Sequence, residues 1–210
     1  IFYMDAPGKR EELHDMARRI ATVGYYVVLP NLYYRDAREF HLGMPGATRE
    51  RMFEMMNNIS NAMVCQDTQA IFDYLENEAG ASDGPVGVVG YCMSGPFVFA
   101  AAAQFPERIK ASASFHGVRL FSDEPTSPHL TAAKIRGEMY FGCAETDEWA
   151  PPEMIEQLDA HLASTGINYR IEWYPDTEHG FVFPQREGKY HKACAERHWE
   201  RLFGMFNRQL

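Results

Sequence analysis

Short apolar runs alternate along the chain with longer segments in which apolar residues recur at helical spacing. The short runs predict six β-strands, at residues 1–4, 25–29, 86–89, 111–115, 138–141 and 169–174. The run at 86–89 carries no polar side chain, as is typical of a central strand in a parallel sheet. Strands that alternate with helices indicate βαβ units. We therefore expect an α/β fold with one mostly parallel, doubly wound sheet and helices on both of its faces.

The segments between these strands predict the helices. Leu13, Met16 and Ile20 follow helical spacing, and Gly24 marks where this helix has ended. A long helix is predicted from about residue 48 to residue 78, either continuous or interrupted near Asn57. The remaining helices are predicted at 95–104, from about 151, and at about 190–207. Since the chain contains no repeat and no linker, we expect a single domain over residues 1–210.

Charge and composition exclude several classes of protein. The 20 Lys and Arg residues are outnumbered by 29 Asp and Glu residues, and the net charge is −9. Such an acidic chain is not expected to bind nucleic acid or an anionic membrane surface, since both require clustered cations. Hydrophobic residues at 46% and charged residues at 23% are ordinary for a folded globular chain. No apolar run approaches the roughly 20 residues of a membrane-spanning helix.

The cysteines indicate a reducing environment. They are scattered and form no Cys-x-x-Cys pair or Cys/His cluster: Cys65, Cys92, Cys143 and Cys194. We therefore expect free thiols, no metal site and a cytoplasmic location, because the start of the chain also shows no signal-peptide pattern. The first predicted strand opens at Ile1, which suggests that residues upstream are missing from this numbering.

The segment Gly90-Tyr91-Cys92-Met93-Ser94-Gly95 lies between a predicted strand and a predicted helix. It matches the G-x-S-x-G nucleophile elbow, with cysteine in the serine position and Ser94 where the pattern has its second glycine. In such a turn a strained backbone projects the central side chain above the sheet, and the helix N-terminus favours a thiolate. The alternative is that Cys92 is only a small buried hydrophobic residue.

An elbow nucleophile of this architecture is followed along the chain by an acid and then by a histidine. The loop after the fifth predicted strand carries Asp147, with Glu145 and Glu148 as local alternatives. The loop after the sixth carries His179. We therefore expect a Cys92–His179–Asp147 triad, in which the imidazole takes the thiol proton and the carboxylate orients the imidazole.

Four segments together resemble the dienelactone hydrolase family of α/β-hydrolases. They are the cysteine elbow at 90–95, the Asp147-x-x-x-Pro151 loop, His179-Gly180-Phe181, and the Gly-Tyr segment at 24–33 that ends in Pro-Asn-Leu-Tyr. The resemblance implies hydrolysis of lactones and esters through an acyl-cysteine intermediate, without a cofactor. It also implies an oxyanion hole formed by the backbone N–H groups of Ala6 and Met93.

The chain departs from the family pattern at two positions. The family's type members carry a glutamate after the first strand that holds the resting thiol, and Asp5 stands in that place as an auxiliary residue. They also carry a substrate-binding arginine four residues past the histidine, where this chain has Phe183. The substrate is therefore expected to be less anionic, or another arginine, Arg35 or Arg119, takes that role.

Four further residues are candidates for the substrate pocket. Trp149, Phe181 and Phe183 flank the acid and the histidine, where they either line an apolar acyl pocket or only pack. His116 follows the fourth predicted strand and is expected to be a hydrogen-bonded structural residue more than a second base.

The leading interpretation is a hydrolase of a small lactone or carboxylic ester, acting as a monomer or a homodimer. One alternative keeps the triad and changes the substrate to a thioester or a larger ester, with residues 31–47 as a lid. The other is a catalytically silent binding protein that has inherited the fold.

Overall fold

The computed structural model describes residues 1–210. The protein contains one sheet of five parallel strands, in the spatial order β1-β2-β3-β4-β5. The strands are β1 Phe2–Tyr3, β2 Val86–Tyr91, β3 Ile109–Phe115, β4 Glu138–Thr146 and β5 Tyr169–Glu178. The predicted α/β fold with a parallel sheet is therefore confirmed.

Six α-helices connect and cover the strands. They are α1 Glu11–Ala21, α2 Arg49–Asn58, α3 Asn61–Leu75, α4 Gly95–Gln104, α5 Pro152–Leu162 and α6 Lys192–Gln209. Short 3₁₀ turns lie at Cys92–Ser94 and Pro128–Lys134. No helix is both long enough and apolar enough to cross a membrane.

The prediction of a strand at residues 25–29 is wrong. This segment lies beside β1 and makes one backbone hydrogen bond with it, from Phe2 N–H to the Val28 carbonyl oxygen at 2.8 Å. Because β1 has only two residues, this single bond does not extend into a ladder with residues 25–29. On its other side β1 is paired with β2, with Phe2 opposite Val89. After β1, the chain therefore first passes along one side of this strand, at residues 25–29, and later returns as β2 on the opposite side. Such a reversal is the switch point of a doubly wound sheet.

The long helix predicted over residues 48–78 is interrupted, as the alternative expected. The α2 helix ends at Asn58, and Ser60 starts α3 by accepting a hydrogen bond from Met63 N–H at 3.2 Å. A serine hydroxyl at this position satisfies a free N–H group of the first turn and so favours a new helix start.

Helices cover both faces of the sheet. A Cβ atom built on Gly87 of β2 would lie 2.9 Å from the Phe206 ring in α6. One built on Gly90 would lie 2.7 Å from Val98 in α4. Since residues three apart on a strand point to opposite faces, α4 and α6 pack on opposite sides of β2. Both glycines allow a helix to lie close against the central strand.

Adding a methyl group at Gly90 should destabilise the protein. We expect Gly90→Ala to lower the free energy of unfolding by about 1–3 kcal/mol, because the new methyl group overlaps Val98 in a packed core. Urea denaturation followed by circular dichroism measures this. Gly204→Ala in α6 is the control, since its Cβ meets only Arg208 at 3.6 Å. An unchanged or raised stability of Gly90→Ala would contradict the packing described.

Candidate active site

Three chemically active side chains each follow directly after a strand. Tyr91, Thr146 and Glu178 end β2, β4 and β5, and the next residues are Cys92, Asp147 and His179. Because the strands are parallel, their carboxyl ends lie at one edge of the sheet, which is where open α/β sheets bind ligands. β4 and β5 both extend further than predicted, by five and four residues respectively, and these extensions carry the acid and the imidazole to the edge.

Cys92 occupies a strained turn between β2 and α4. Its φ is 55°, in the left-handed region that residues other than glycine rarely adopt. The turn is closed by Gly95, whose added Cβ would lie 2.5 Å from the Gly117 Cα. The Val118 N–H also donates to the Cys92 carbonyl oxygen at 3.1 Å. These contacts fix a backbone that presents a half-buried thiol at the edge of the sheet.

Asp147 is bonded through both carboxylate oxygens. Oδ2 lies 2.7 Å from His179 Nδ1, while Oδ1 accepts from Trp149 N–H at 2.9 Å and from Ala150 N–H at 3.0 Å. Glu145 and Glu148 are exposed and make no hydrogen bond with His179. Of the three candidate acids, the structure therefore brings only Asp147 to the imidazole.

The other side of the His179 ring faces Cys92. Burial acts to lower the pKa of His179, but its hydrogen bond with Asp147 and the nearby Cys92 thiol outweigh burial and raise that pKa from 6.5 to about 9. Since Nδ1 is bonded to Asp147, the remaining nitrogen, Nε2, is the ring atom available to the thiol. The imidazole is therefore protonated at neutral pH, next to a sulfur atom at a helix N-terminus.

The two predicted oxyanion donors lie in the loop after β1 and in the turn after β2. Ala6 is buried in the loop between β1 and α1, and its N–H donates to no acceptor in the protein. Met93 lies in the first turn after Cys92, where N–H groups have no intrahelical acceptor. The Tyr33 hydroxyl lies 2.7 Å from the Ala6 carbonyl oxygen and 3.5 Å from Met93 Sδ. Sequence reasoning missed this tyrosine as a site residue.

Asp5, the predicted auxiliary residue, makes no hydrogen bond with the thiol and is paired with two arginines. Its Oδ1 lies 2.5 Å from Arg10 Nη1, and its Oδ2 lies 2.9 Å from Arg186 Nη2. Both guanidinium groups lie over the ring of Phe183, at 5.2 and 4.7 Å from its centroid. Both oxygens of this fully buried carboxylate are thus bonded to guanidinium groups.

The same ion network extends to Glu12. This buried carboxylate accepts from Arg10 Nη2 at 2.6 Å and from the Gln185 N–H at 2.7 Å. The network therefore joins the loop that carries Ala6 to the segment that follows His179. Sequence reasoning missed Arg10, Glu12 and Arg186 because two of the pairings join residues more than 170 positions apart.

The side chain of Arg35 is engaged in an ion pair. Its guanidinium forms two hydrogen bonds with Asp67, at 2.7 and 2.8 Å, and stacks on Tyr34. Arg119, in contrast, forms no ion pair, and its Nη2 donates to Asn57 Oδ1 at 3.1 Å. Arg119 lines a cavity of about 230 Å³ that also borders Met93. Of the two candidates, only Arg119 lines this cavity.

The aromatic candidates have different environments. Phe181 and Phe183 are fully buried, so they pack in the core and do not line an open pocket. Trp149 is 48% exposed and lies against Phe53 of α2, with the ring centroids 6.0 Å apart, so it remains at the rim of the site.

The His116 side chain is buried beside His179. We expected it to be hydrogen-bonded, and it is not. Its ring centroid lies 4.7 Å from that of His179, and neither ring nitrogen has a partner. Burial, together with the nearby His179, lowers the pKa of His116 well below its usual range, so this ring is neutral. It packs against the His179 ring in a T-shaped arrangement and, being buried, does not face an open cleft.

The remaining thiols are poorly suited to reaction. Burial raises the pKa of Cys65 to about 11 and that of Cys143 to about 12, and burial also raises the pKa of Cys194. No group of three or more His, Cys, Asp or Glu side chains is arranged to hold a metal ion.

A central parallel strand that leads through a strained cysteine turn into a helix, with an acid and an imidazole at later strand ends, defines an α/β-hydrolase. The sequence profile of the dienelactone hydrolase family matches residues 1–210, and the chain belongs to that family. Family membership makes this protein a hydrolase of the carboxylic-ester class.

Curated relatives agree with this assignment. A protein of Synechocystis sp. with the provisional name carboxymethylenebutenolidase is 28% identical over 97% of this chain and 82% of its own length. A relative of the same provisional name from Escherichia coli K12 is 27% identical over 95% of this chain and 72% of its own length.

Two solved structures show the same fold. A provisionally named dienelactone hydrolase from Klebsiella pneumoniae has a TM-score of 0.85 at 23% identity, covering 98% of this chain and 85% of the other. A dienelactone hydrolase-like promiscuous phosphotriesterase from metagenomic libraries has a TM-score of 0.81 at 15% identity, covering 99% and 84%.

The charge on His179 should make stability depend on pH. Its pKa in the folded protein, about 9, is above the ordinary value of 6.5. The contribution of the imidazolium to the free energy of unfolding is therefore complete below pH 6.5 and is lost as the pH rises through about 9. We expect the difference in free energy of unfolding between wild type and His179→Gln to shrink by up to about 3 kcal/mol between about pH 6 and pH 10. Urea denaturation across this range measures it, and a constant difference would contradict the described pairing.

Proposed function

We propose that this protein cleaves small lactones or carboxylic esters through an acyl-cysteine intermediate, without a cofactor. The observation that carries the proposal is the Asp147–His179 hydrogen bond of 2.7 Å at the carboxyl edge of the sheet, with Cys92 close enough to the same imidazole to raise its pKa. A cytoplasmic location, with all four thiols free, belongs to the same proposal.

The first half of the reaction forms the acyl-enzyme. The Cys92 thiolate, whose proton is held by His179, attacks the carbonyl carbon and forms a carbon–sulfur bond. The carbonyl π electrons move to oxygen, and the resulting oxyanion accepts hydrogen bonds from the N–H groups of Ala6 and Met93. When the carbonyl re-forms, the carbon–oxygen single bond breaks, and His179 gives its proton to the departing alkoxide.

The second half releases the acid. His179, again neutral, takes a proton from a water molecule that attacks the acyl carbon. Collapse of the second oxyanion breaks the carbon–sulfur bond and restores the Cys92 thiolate beside the imidazolium. Asp147 stabilises the imidazolium at each stage and keeps Nδ1 as the donor towards itself.

The proposal is tested first by activity. We expect Cys92→Ala and His179→Ala to lower kcat/KM for an aryl ester by at least about 1000-fold, because each removes a member of a cooperative triad. Cys65→Ala is the matched cysteine control, since this thiol lies in α3, away from the site. Wild-type rates in either triad variant would overturn the proposed mechanism.

The rate at which each thiol is alkylated tests the proposal independently of activity. Iodoacetamide should modify Cys92 much faster than the other three thiols, because their pKa values are raised by burial. Equal rates at all four thiols would favour a catalytically silent protein. Turnover of matched lactone, ester and thioester substrates would separate the proposed substrates from the thioester alternative.

The cavity beside Met93 indicates which substrates are preferred. Apolar side chains of Met56, Phe97 and Val118 line it together with the guanidinium of Arg119, which forms no ion pair. The carboxylate of Glu124 lines the same cavity but forms no ion pair with Arg119. We propose that this cavity holds the part of the substrate away from the scissile bond and that Arg119 binds an acidic group there.

Arg119→Gln should therefore discriminate between substrates. We expect it to lower kcat/KM about 10-fold for an ester that carries a carboxylate, since a charge-assisted hydrogen bond is lost, and to leave a neutral analogue within about twofold. Arg35→Gln, whose side chain is bonded to Asp67, is the control. Equal losses for both esters, or no loss for either, would contradict this role of Arg119.

A further inference from the structure

Two buried hydroxyl groups hold the loop that follows β1. The Tyr33 hydroxyl donates to the Ala6 carbonyl oxygen at 2.7 Å, and the Ser94 hydroxyl donates to the Met4 carbonyl oxygen at 2.5 Å. Both side chains are fully buried. Ser94 caps no helix N–H group, so its hydroxyl is committed to this loop.

The carbonyl groups of three successive residues in this loop are held by hydrogen bonds. Between the two hydroxyl contacts, the Asp5 carbonyl oxygen accepts from Gly8 N–H at 3.0 Å. Gly8 has a φ of +90°, and a Cβ atom there would lie 2.4 Å from the Phe40 carbonyl oxygen, so only glycine can close this turn.

This arrangement fixes the direction of the Ala6 N–H group. The Asp5 carbonyl and the Ala6 N–H belong to one planar peptide unit, so the Gly8 bond on the carbonyl orients the N–H. The units on either side are held by Ser94 and Tyr33. All three carbonyl groups are bonded, whereas the Ala6 N–H has no acceptor in the protein.

Both hydroxyl groups also connect this loop to the elbow. Ser94 lies two residues after Cys92, and the Tyr33 hydroxyl lies 3.5 Å from Met93 Sδ. The two side chains therefore link the loop that carries one oxyanion donor to the turn that carries the other. The elbow pattern requires only a small residue at position 94, and a glycine there would not make the bond to Met4.

We propose that Tyr33 and Ser94 are positioning residues that set the separation and direction of the Ala6 and Met93 N–H groups. The inference rests on the proposed acyl-cysteine mechanism and adds to it. An oxyanion hole stabilises the transition state only when its donors lie about 2.7–3.1 Å from the oxygen, so a small displacement of the loop lowers the rate. Neither hydroxyl touches the substrate.

Removing either hydroxyl should therefore lower kcat and leave KM nearly unchanged. We expect Tyr33→Phe and Ser94→Ala each to reduce kcat for an aryl ester about 10-fold, with KM within about twofold. A trifluoromethyl ketone serves as the probe of the oxyanion hole, because addition of the Cys92 thiolate converts its carbonyl oxygen into an oxyanion. Its affinity should fall by the same factor as kcat.

Alkylation of Cys92 by iodoacetamide should keep its wild-type rate in both variants. That displacement occurs at a methylene carbon and forms no oxyanion, so it reports on the nucleophile alone. The number of iodoacetamide groups bound per chain also gives the fraction of chains with a competent site. Each measured kcat is divided by that fraction.

Two variants control for the loss of a buried hydroxyl elsewhere. Tyr140→Phe removes a phenol bonded to Tyr174 at 2.8 Å, and Ser112→Ala removes a buried hydroxyl without a partner. Both should leave kcat and ketone affinity within about twofold of wild type. If Ser94→Ala does not fold, Ser94→Gly gives the same comparison with the glycine of the elbow pattern.

The outcomes separate this inference from the proposed function. Wild-type kcat and ketone affinity in both Tyr33→Phe and Ser94→Ala, or a change in KM alone, would overturn the positioning role. A slowed alkylation of Cys92 would overturn it as well, since the nucleophile would then be affected. Failure of the wild-type protein to form the ketone adduct at Cys92 would instead overturn the mechanism itself.

Discussion

The left-handed backbone at Cys92 is the constraint on which the position of the whole site depends. A residue with a side chain in this region costs about 1–3 kcal/mol, and it persists only where its surroundings leave no alternative. Here those surroundings are a buried strand before it, a buried helix after it, and the Gly117–Val118 segment packed against the turn. The sheet and its covering helices therefore determine where the sulfur atom lies.

Electrostatic interactions connect the loops around that turn. Asp147 and Cys92 keep His179 protonated despite its burial, while the neutral His116 packs on the same ring without adding a second charge. On the other side of the site, the Asp5 and Glu12 carboxylates bind Arg10 and tie the first loop to the chain after His179. Each charged group in these clusters has an opposite charge as its partner, which is the condition for burying charges in a protein.

The sequence located the elbow, the acid and the histidine because each belongs to a short pattern at the end of an apolar run. Residues 25–29 have the composition of a strand. They do not form one because the neighbouring strand with which they would pair, β1, is only two residues long. Composition could not show whether Phe181 and Phe183 face a cleft or the core, because both environments suit an aromatic ring. The contacts of Tyr33, Ser94 and Arg186 join residues 27, 90 and 181 positions apart, and no local pattern encodes such pairs.

The central claim is that the substrate becomes covalently attached to Cys92. Intact-protein mass spectrometry of the enzyme quenched by acid during turnover of an aryl ester, followed by peptide mapping, tests it most directly. The account predicts one acyl group per chain, located on Cys92 and absent from the Cys92→Ala variant. Turnover without any adduct, or an acyl group on another residue, would contradict it.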